Sequence, residues 1–356
     1  MYLILENGRV FEGKSIGTIE DKIGEVVFTT GMTGYLETLT DKSYFGQIIV
    51  QTFPLIGNYG VIPYDFENDS ITATGYIVKH LCQVPSNFRS EGNLETFLKS
   101  EDITGLSDID TRELTKIIRS KGVMNGMLTN RNPKEVDLNS IREYRIIDAV
   151  KSVTTKKKYT DNDEGKYKVA IFDFGAKDNI KRELIKRNCS VTIFPSYTRA
   201  EEIISYSPDG IMLTNGPGNP EENIEVIEEL KLLLKEDIPM FGICLGHQLL
   251  ALASGFKTHK LKYGHRGANQ PAKDLTTGKI YITSQNHGYA VKSESIDESI
   301  AKEWFVNTND NTCEGIKYID KSVVTIQFHP EACGGPQDTM FLFDKFIEMM
   351  EGKICH

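Results

Sequence analysis

The rhythm of hydrophobic and polar positions changes near residue 167 of the 356-residue chain. Beyond it, short apolar runs at 168–175, 190–195, 210–214 and 238–243 alternate with helical periodicity at 178–187, at about 223–235 and from 245 onward. Alternation of this kind predicts a doubly wound, mostly parallel sheet. A further β-branched strand is expected at 322–328, and two strands around a polar turn over 281–291. Upstream, the first 66 residues read as β structure. Asn7-Gly8 predicts a hairpin between 2–5 and 10–11, with later strands at 24–28, 48–54 and 71–80. Helical stretches follow at 94–99 and 110–121, the second capped by Asp110 or Thr111 and ended by Gly122. The polar, glycine-punctuated segments 29–35 and 40–47 read as loops. Residues 151–166 carry a charge run and almost no apolar content, which predicts an exposed linker. The expected architecture is α/β. A β-rich α+β domain over 1–150 precedes the linker at 151–166 and a doubly wound domain over 167–356.

Composition narrows the class without naming it. Fifty acidic against 41 basic residues give a net charge of −9, so global charge offers no footprint for nucleic acid. No apolar run reaches membrane-spanning length, and the opening residues lack a signal peptide's basic start and long apolar core. The six cysteines form no CxxC pair, which suits reduced thiols in a cytoplasmic protein and predicts neither disulfides nor a metal site.

The chemistry centres on Gly242-Ile243-Cys244-Leu245-Gly246, which sits between an apolar strand and a helix. This is the cysteine form of a nucleophile elbow. Glycines two before and two after Cys244 let a strand turn directly into a helix, with the sulfur held at the helix N-terminus. Backbone N–H groups and the macrodipole favour a thiolate there, and the N–H of Leu245 is placed to hold an oxyanion. Later, a strand delivers His329-Pro330-Glu331. Residues two apart in extended chain point the same way, so His329 and Glu331 can act as base and orienter for Cys244. The Gly216-Pro217-Gly218 loop follows another strand end and can bring free N–H groups close to a ligand. His247, His259, His265 and His287 read as surface or structural. Gly8 to Ser15 fits a phosphate-loop pattern at every fixed position, yet no amphipathic helix follows it. The phosphate-loop reading fails on context.

GICLGHQ, NGPGNP, SQNHG and FHPE, in this order, resemble the class I glutamine amidotransferase domain over about 167–350. The segments 32–60 and 105–126 are similar to small subunits of glutamine-hydrolysing carbamoyl-phosphate synthases, which extends the resemblance to nearly the whole chain. It implies that Cys244 attacks the glutamine amide while His329 shuttles protons, oriented by Glu331. The glutamine contacts it implies are Ser43, Gly216, Gly218, Leu245, Gln248, Asn286, Gly288 and Tyr289. Gly216 would be the oxyanion partner of Leu245. The resemblance further implies a heterodimer, or a higher oligomer, with a large subunit. That partner uses ATP and Mg with bicarbonate to make carbamoyl phosphate, and this chain holds no cofactor or metal and meets no nucleic acid or membrane. Two departures stand out. Tyr289 replaces a common phenylalanine, and Ala332-Cys333-Gly334-Gly335-Pro336 replaces Ala-Ser-Pro-Gly-Pro, adding a second thiol. Other readings are a different amidotransferase of the class, an unrelated Cys–His hydrolase needing no partner, and a binding module with a degenerate elbow. The N-terminal half argues against the first.

Overall fold

The computed structural model describes residues 1–332 and 334–353. The chain folds as two compact units, Met1–Ile147 and Asp148–His356.

The first unit is built on an eight-stranded mixed sheet. At its centre Lys22–Thr29, Gln47–Gln51, Gly75–Ile77 and Thr104–Ser107 run parallel, and antiparallel strands flank them on both sides. The expected hairpin is present: Tyr2–Leu5 pairs with Val10–Glu12, and Gly8 takes the positive φ of 84° that the turn needs. Residues of the phosphate-loop pattern continue into the strand Lys14–Gly17, not a helix. A Cβ at Gly13 would come within 2.3 Å of the Ser107 carbonyl, so this glycine serves sheet packing. Asp110 caps the helix Thr111–Lys121 through Glu113 N–H at 2.9 Å, and Gly122 closes it. Between the two segments read as loops lies a short helix, Tyr35–Leu39, and the second segment contains a 3-10 turn, Lys42–Tyr44. Both are too short to show a period in sequence.

The second unit carries a ten-stranded sheet. Tyr167–Asp173, Cys189–Pro195, Gly210–Leu213, Met240–Ile243 and Val323–Ile326 are its parallel strands, in the spatial order second, first, third, fourth, fifth. Side chains alternate across them. Ala170 and Phe172 join a core with the helices Ile224–Leu233 and Leu245–Ala253, whereas Val169 and Ile171 face the helices Asp178–Lys186 and Phe341–Met350. Helices thus cover both faces, as a parallel sheet requires. An antiparallel flank of Cys313–Tyr318, Ala301–Asn307, Thr258–Asp274 and Ile280–Val291 extends the sheet. Residues 281–291 belong to one continuous strand here, not two. Their polar centre pairs with the equally polar centre of Thr258–Asp274, so no turn is needed.

The expected linker is not a linker. Ala149–Val153 is a helix with Ala149, Val150 and Val153 buried, and Tyr159–Asn162 pairs antiparallel with Cys189–Pro195 at the sheet edge. Edge strands tolerate charge because their outer side chains stay in water, which is why composition misleads at this position. Among the described residues, no helix is long and apolar enough to cross a membrane.

Candidate active site

In doubly wound sheets, ligands gather beyond the carboxyl ends of the parallel strands. The strand Met240–Ile243 ends at Cys244, and the helix Leu245–Ala253 starts immediately after it. Cys244 holds φ 52° and ψ −100°, a conformation non-glycine residues rarely adopt. Its neighbours explain how this is tolerated. A Cβ on Gly246 would lie 2.4 Å from the Leu213 carbonyl oxygen, and one on Gly242 would lie 2.9 Å from Thr325 Cγ2. Only glycine fits at either place, so the turn cannot relax by moving away from the sheet. The sulfur approaches the Asn286 carbonyl oxygen at 3.8 Å. Leu245 opens the helix, and the first N–H groups of a helix have no partner within it.

His329 follows the strand Val323–Ile326, the parallel neighbour of the Cys244 strand. Its own N–H donates to the Ser284 carbonyl at 2.9 Å, which ties it to the strand Ile280–Val291. Its Nδ1 lies 2.6 Å from Glu331 Oε1 and therefore carries the proton that the carboxylate accepts. Nε2 has no well-formed partner among the described residues and is the nitrogen left for the thiol. A buried ammonium completes the group. Lys177 Nζ stands 3.4 Å from His329 Nδ1 and 3.6 Å from Glu331 Oε1. Burial and Lys177 push the imidazole down, but Glu331 and Cys244 push it up further, to about 10. For Glu331, burial acts upward and the His329 and Lys177 charges act downward; the cations win. Both shifts favour an imidazolium beside a carboxylate.

The Gly216 loop is held rigidly beside the elbow. Asn215 Oδ1 accepts from Lys177 N–H at 3.1 Å, its Nδ2 donates to the Gly175 carbonyl at 3.1 Å, and Thr214 Oγ1 accepts from Phe174 N–H at 2.9 Å. A Cβ on Gly216 would lie 2.7 Å from Leu245 Cδ2 and 2.3 Å from the Phe174 carbonyl oxygen, so the loop backbone packs against the Leu245 side chain with no room for one of its own. Gly218 has φ 87°. Gln248 Nε2 donates to the Tyr289 carbonyl at 2.8 Å, linking the elbow helix to the strand bearing Asn286, Gly288 and Tyr289. Cys244 and His329 follow neighbouring parallel strands, and the Cys244 sulfur and Gln248 side chain meet the Asn286 and Tyr289 carbonyls of the strand Ile280–Val291. Ser43 belongs to the first unit, where Asp41 Oδ1 caps its turn by accepting from Ser43 N–H at 2.8 Å. Cys333 lies outside the described residues.

Sequence reading missed Lys177 and its anchor Asn215. The one available signal was position: both follow the ends of neighbouring parallel strands. His247 is wholly buried, with Nδ1 2.8 Å from Thr325 Oγ1 and its pKa pushed down to about 3 by burial, which makes it a neutral structural residue. His265 and His287 are also buried, and only His259 of these four is exposed.

A cysteine elbow with an imidazole–carboxylate pair at this edge is the arrangement of a cysteine nucleophile enzyme, and residues 170–349 match the family model "Glutamine amidotransferase class-I", which makes this the amidotransferase unit. Residues 3–128 match "Carbamoyl-phosphate synthase small chain, CPSase domain". The carbamoyl phosphate synthase small chain of Clostridium perfringens is 50% identical over 348 residues, covering 97% of this chain and 98% of that one. Those of Listeria monocytogenes serotype 4b (48% over 353 residues; 99% and 97% covered) and Bacillus cereus strain ATCC 10987 (50% over 350; 98% and 95%) are similar throughout as well. The chain belongs to the family of carbamoyl phosphate synthase small chains, the glutaminase subunits of that synthase.

Proposed function

We propose that glutamine is hydrolysed through a thioester on Cys244. With the proton on His329, the sulfur attacks the side-chain amide carbon, and the Leu245 and Gly216 N–H groups receive the developing oxyanion. His329 Nε2 then protonates the amide nitrogen, the C–N bond breaks and ammonia departs. Neutral His329 next takes a proton from water, whose oxygen attacks the thioester. The C–S bond breaks, glutamate leaves and the imidazolium–thiolate pair is restored. Glu331 keeps Nδ1 protonated throughout, and Lys177 neutralises the carboxylate. The observation that carries this reading is the strained elbow at Cys244 beside an imidazole tied to Glu331 at 2.6 Å.

Ser43, Gly216, Gly218, Leu245, Gln248, Asn286, Gly288 and Tyr289 are the proposed glutamine contacts. The hydrolysis needs no cofactor in this chain. ATP and Mg act in the large subunit, which forms a heterodimer or higher oligomer with it and receives the ammonia; we place the complex in the cytoplasm, where free thiols stay reduced. The carbamoyl phosphate formed suits pyrimidine or arginine synthesis. The test is mass spectrometry after treatment with a reactive glutamine analogue, with and without excess glutamine. Label on Cys244 that glutamine blocks supports the thioester route. Label elsewhere, or label indifferent to glutamine in the assembled complex, overturns it.

A further inference from the structure

Behind the glutamine-facing strand lies a second histidine–carboxylate cluster that the glutaminase chemistry does not use. His265 on Thr258–Asp274 stands opposite His287 on Ile280–Val291, and Glu314 comes from Cys313–Tyr318. All three are buried, and one ligand atom of each lies within 4.8 Å of the others. We propose that His265, His287 and Glu314 form a closed, structural site for a divalent first-row metal ion of the Zn2+ type.

The hydrogen bonds fix which atoms face inward. His265 Nε2 lies 2.8 Å from Asp310 Oδ2 and carries the proton on that side, so Nδ1 is the nitrogen turned toward Glu314 and the cluster. His287 Nδ1 lies 2.8 Å from the Tyr289 carbonyl, which can only accept, so its Nε2 is the lone pair. A carboxylate or carbonyl behind each imidazole is the outer arrangement that metal-ligating histidines show. Glu314 is itself oriented by Asn307 Nδ2 at 3.2 Å. His265 Nδ1 and Glu314 Oε2 are buried with no well-formed hydrogen bond among the described residues. His265 Nδ1 and Glu314 Oε1 are 3.4 Å apart. That matches the edge of a tetrahedron whose centre lies about 2.0–2.2 Å from each ligand.

Gln285 supplies an independent sign. Its Nε2 donates to Thr283 Oγ1 at 3.1 Å, and that hydroxyl donates in turn to the Gln270 carbonyl at 2.8 Å. Gln285 Oε1 is thereby turned toward His287 Nε2 at 3.1 Å, so one lone pair faces another. A cation between them reconciles the two. A metal ion accepts both lone pairs, with Gln285 Oε1 as fourth ligand, while Glu314 and Asp310 balance its charge. Two imidazoles, a carboxylate and an amide oxygen suit Zn2+ and its neighbours. The ion would join three strands behind Asn286, Gly288 and Tyr289. The spacing of the ligands in sequence hid the site, since they come from three different strands.

Metal content of the purified chain, after washing with a weak chelator, tests this without reference to glutamine. The proposal expects close to one equivalent of metal by elemental mass spectrometry, kept in Cys244→Ser and lost in Glu314→Gln. Cobalt added to stripped wild type should give four-coordinate d–d absorption without a thiolate charge-transfer band, a readout that needs no variant to fold. The proposal is overturned by wild type that takes up no stoichiometric Zn2+ or Co2+, by a thiolate band, or by metal retained in a folded Glu314→Gln. His265 would then be an imidazolium held between Asp310 and Glu314.

Discussion

Two histidine–carboxylate clusters lie in the second unit, and they differ in where the free nitrogen points. At the sheet edge, Glu331 and Lys177 occupy one side of His329 and leave Nε2 facing a thiol. In the flank, Asp310 and the Tyr289 carbonyl occupy the outer sides of His265 and His287, so the remaining nitrogens face each other and Glu314. On the two proposals, the same residue types make a proton shuttle in one place and a closed cage in the other. What decides is the third neighbour: a strained cysteine on a helix N-terminus, or another acceptor from a crossing strand.

Breaking the open cluster should have the largest effect. Cys244→Ser is expected to cut glutamine-dependent carbamoyl phosphate synthesis about a thousandfold or more, with ammonia-dependent synthesis retained. Loss of both in the assembled complex would assign Cys244 to assembly instead. Next comes Glu331→Gln, which keeps the shape but removes the charge that holds His329 protonated on Nδ1. A drop of about a hundredfold in kcat with little change in KM is expected, and a KM effect alone would contradict the orienting role.

The elbow's rigidity is tested by Gly246→Ala. The added Cβ would press on the Leu213 carbonyl at 2.4 Å, so a loss of about 1–3 kcal/mol in urea unfolding is expected. Unchanged stability would mean that the turn can relax.

Titration sharpens the contrast further. His329 is raised in the fold, so its contribution to stability is complete below its unfolded value of about 6.5 and fades as pH climbs through about 10. Glu331 is lowered, so its contribution is present above its unfolded value of about 4.3 and is lost on acidification. Lys177→Met removes a charge that lowers both, and should move both pKa values upward in an NMR titration of the His329 ring. A downward move would place the ammonium elsewhere. The smallest effect expected is from Ser43→Ala, a rise in the KM for glutamine of about three- to tenfold with kcat kept, equivalent to one hydrogen bond. An unchanged KM removes Ser43 from the glutamine contacts.

Much of the open cluster was legible because its signals are local. Gly242 and Gly246 flank Cys244 within five residues, and His329 and Glu331 are two apart on an extended stretch. Strand–helix alternation after residue 167 carried the parallel half of the sheet for the same reason. The closed cluster was not legible, since its ligands lie on three strands whose pairing is set by register shifts near Lys260 and Gly267. The segment 151–166 misled in the opposite sense, because an edge strand and a linker share a polar composition.

Sequence alone determined the chemistry of the nucleophile, since backbone strain at Cys244 requires glycines at fixed short spacing and nothing distant can substitute for them. It also determined the periodicities that place strands and helices. Tertiary structure alone decided which charges meet. Lys177 reaches Glu331, 154 positions away in sequence, only because the sheet brings the carboxyl ends of its parallel strands to one edge, with Nζ 3.6 Å from the carboxylate. The physical reason is range: dihedral preferences act over a few residues, whereas the pairing of buried charges depends on which strand ends the sheet brings together.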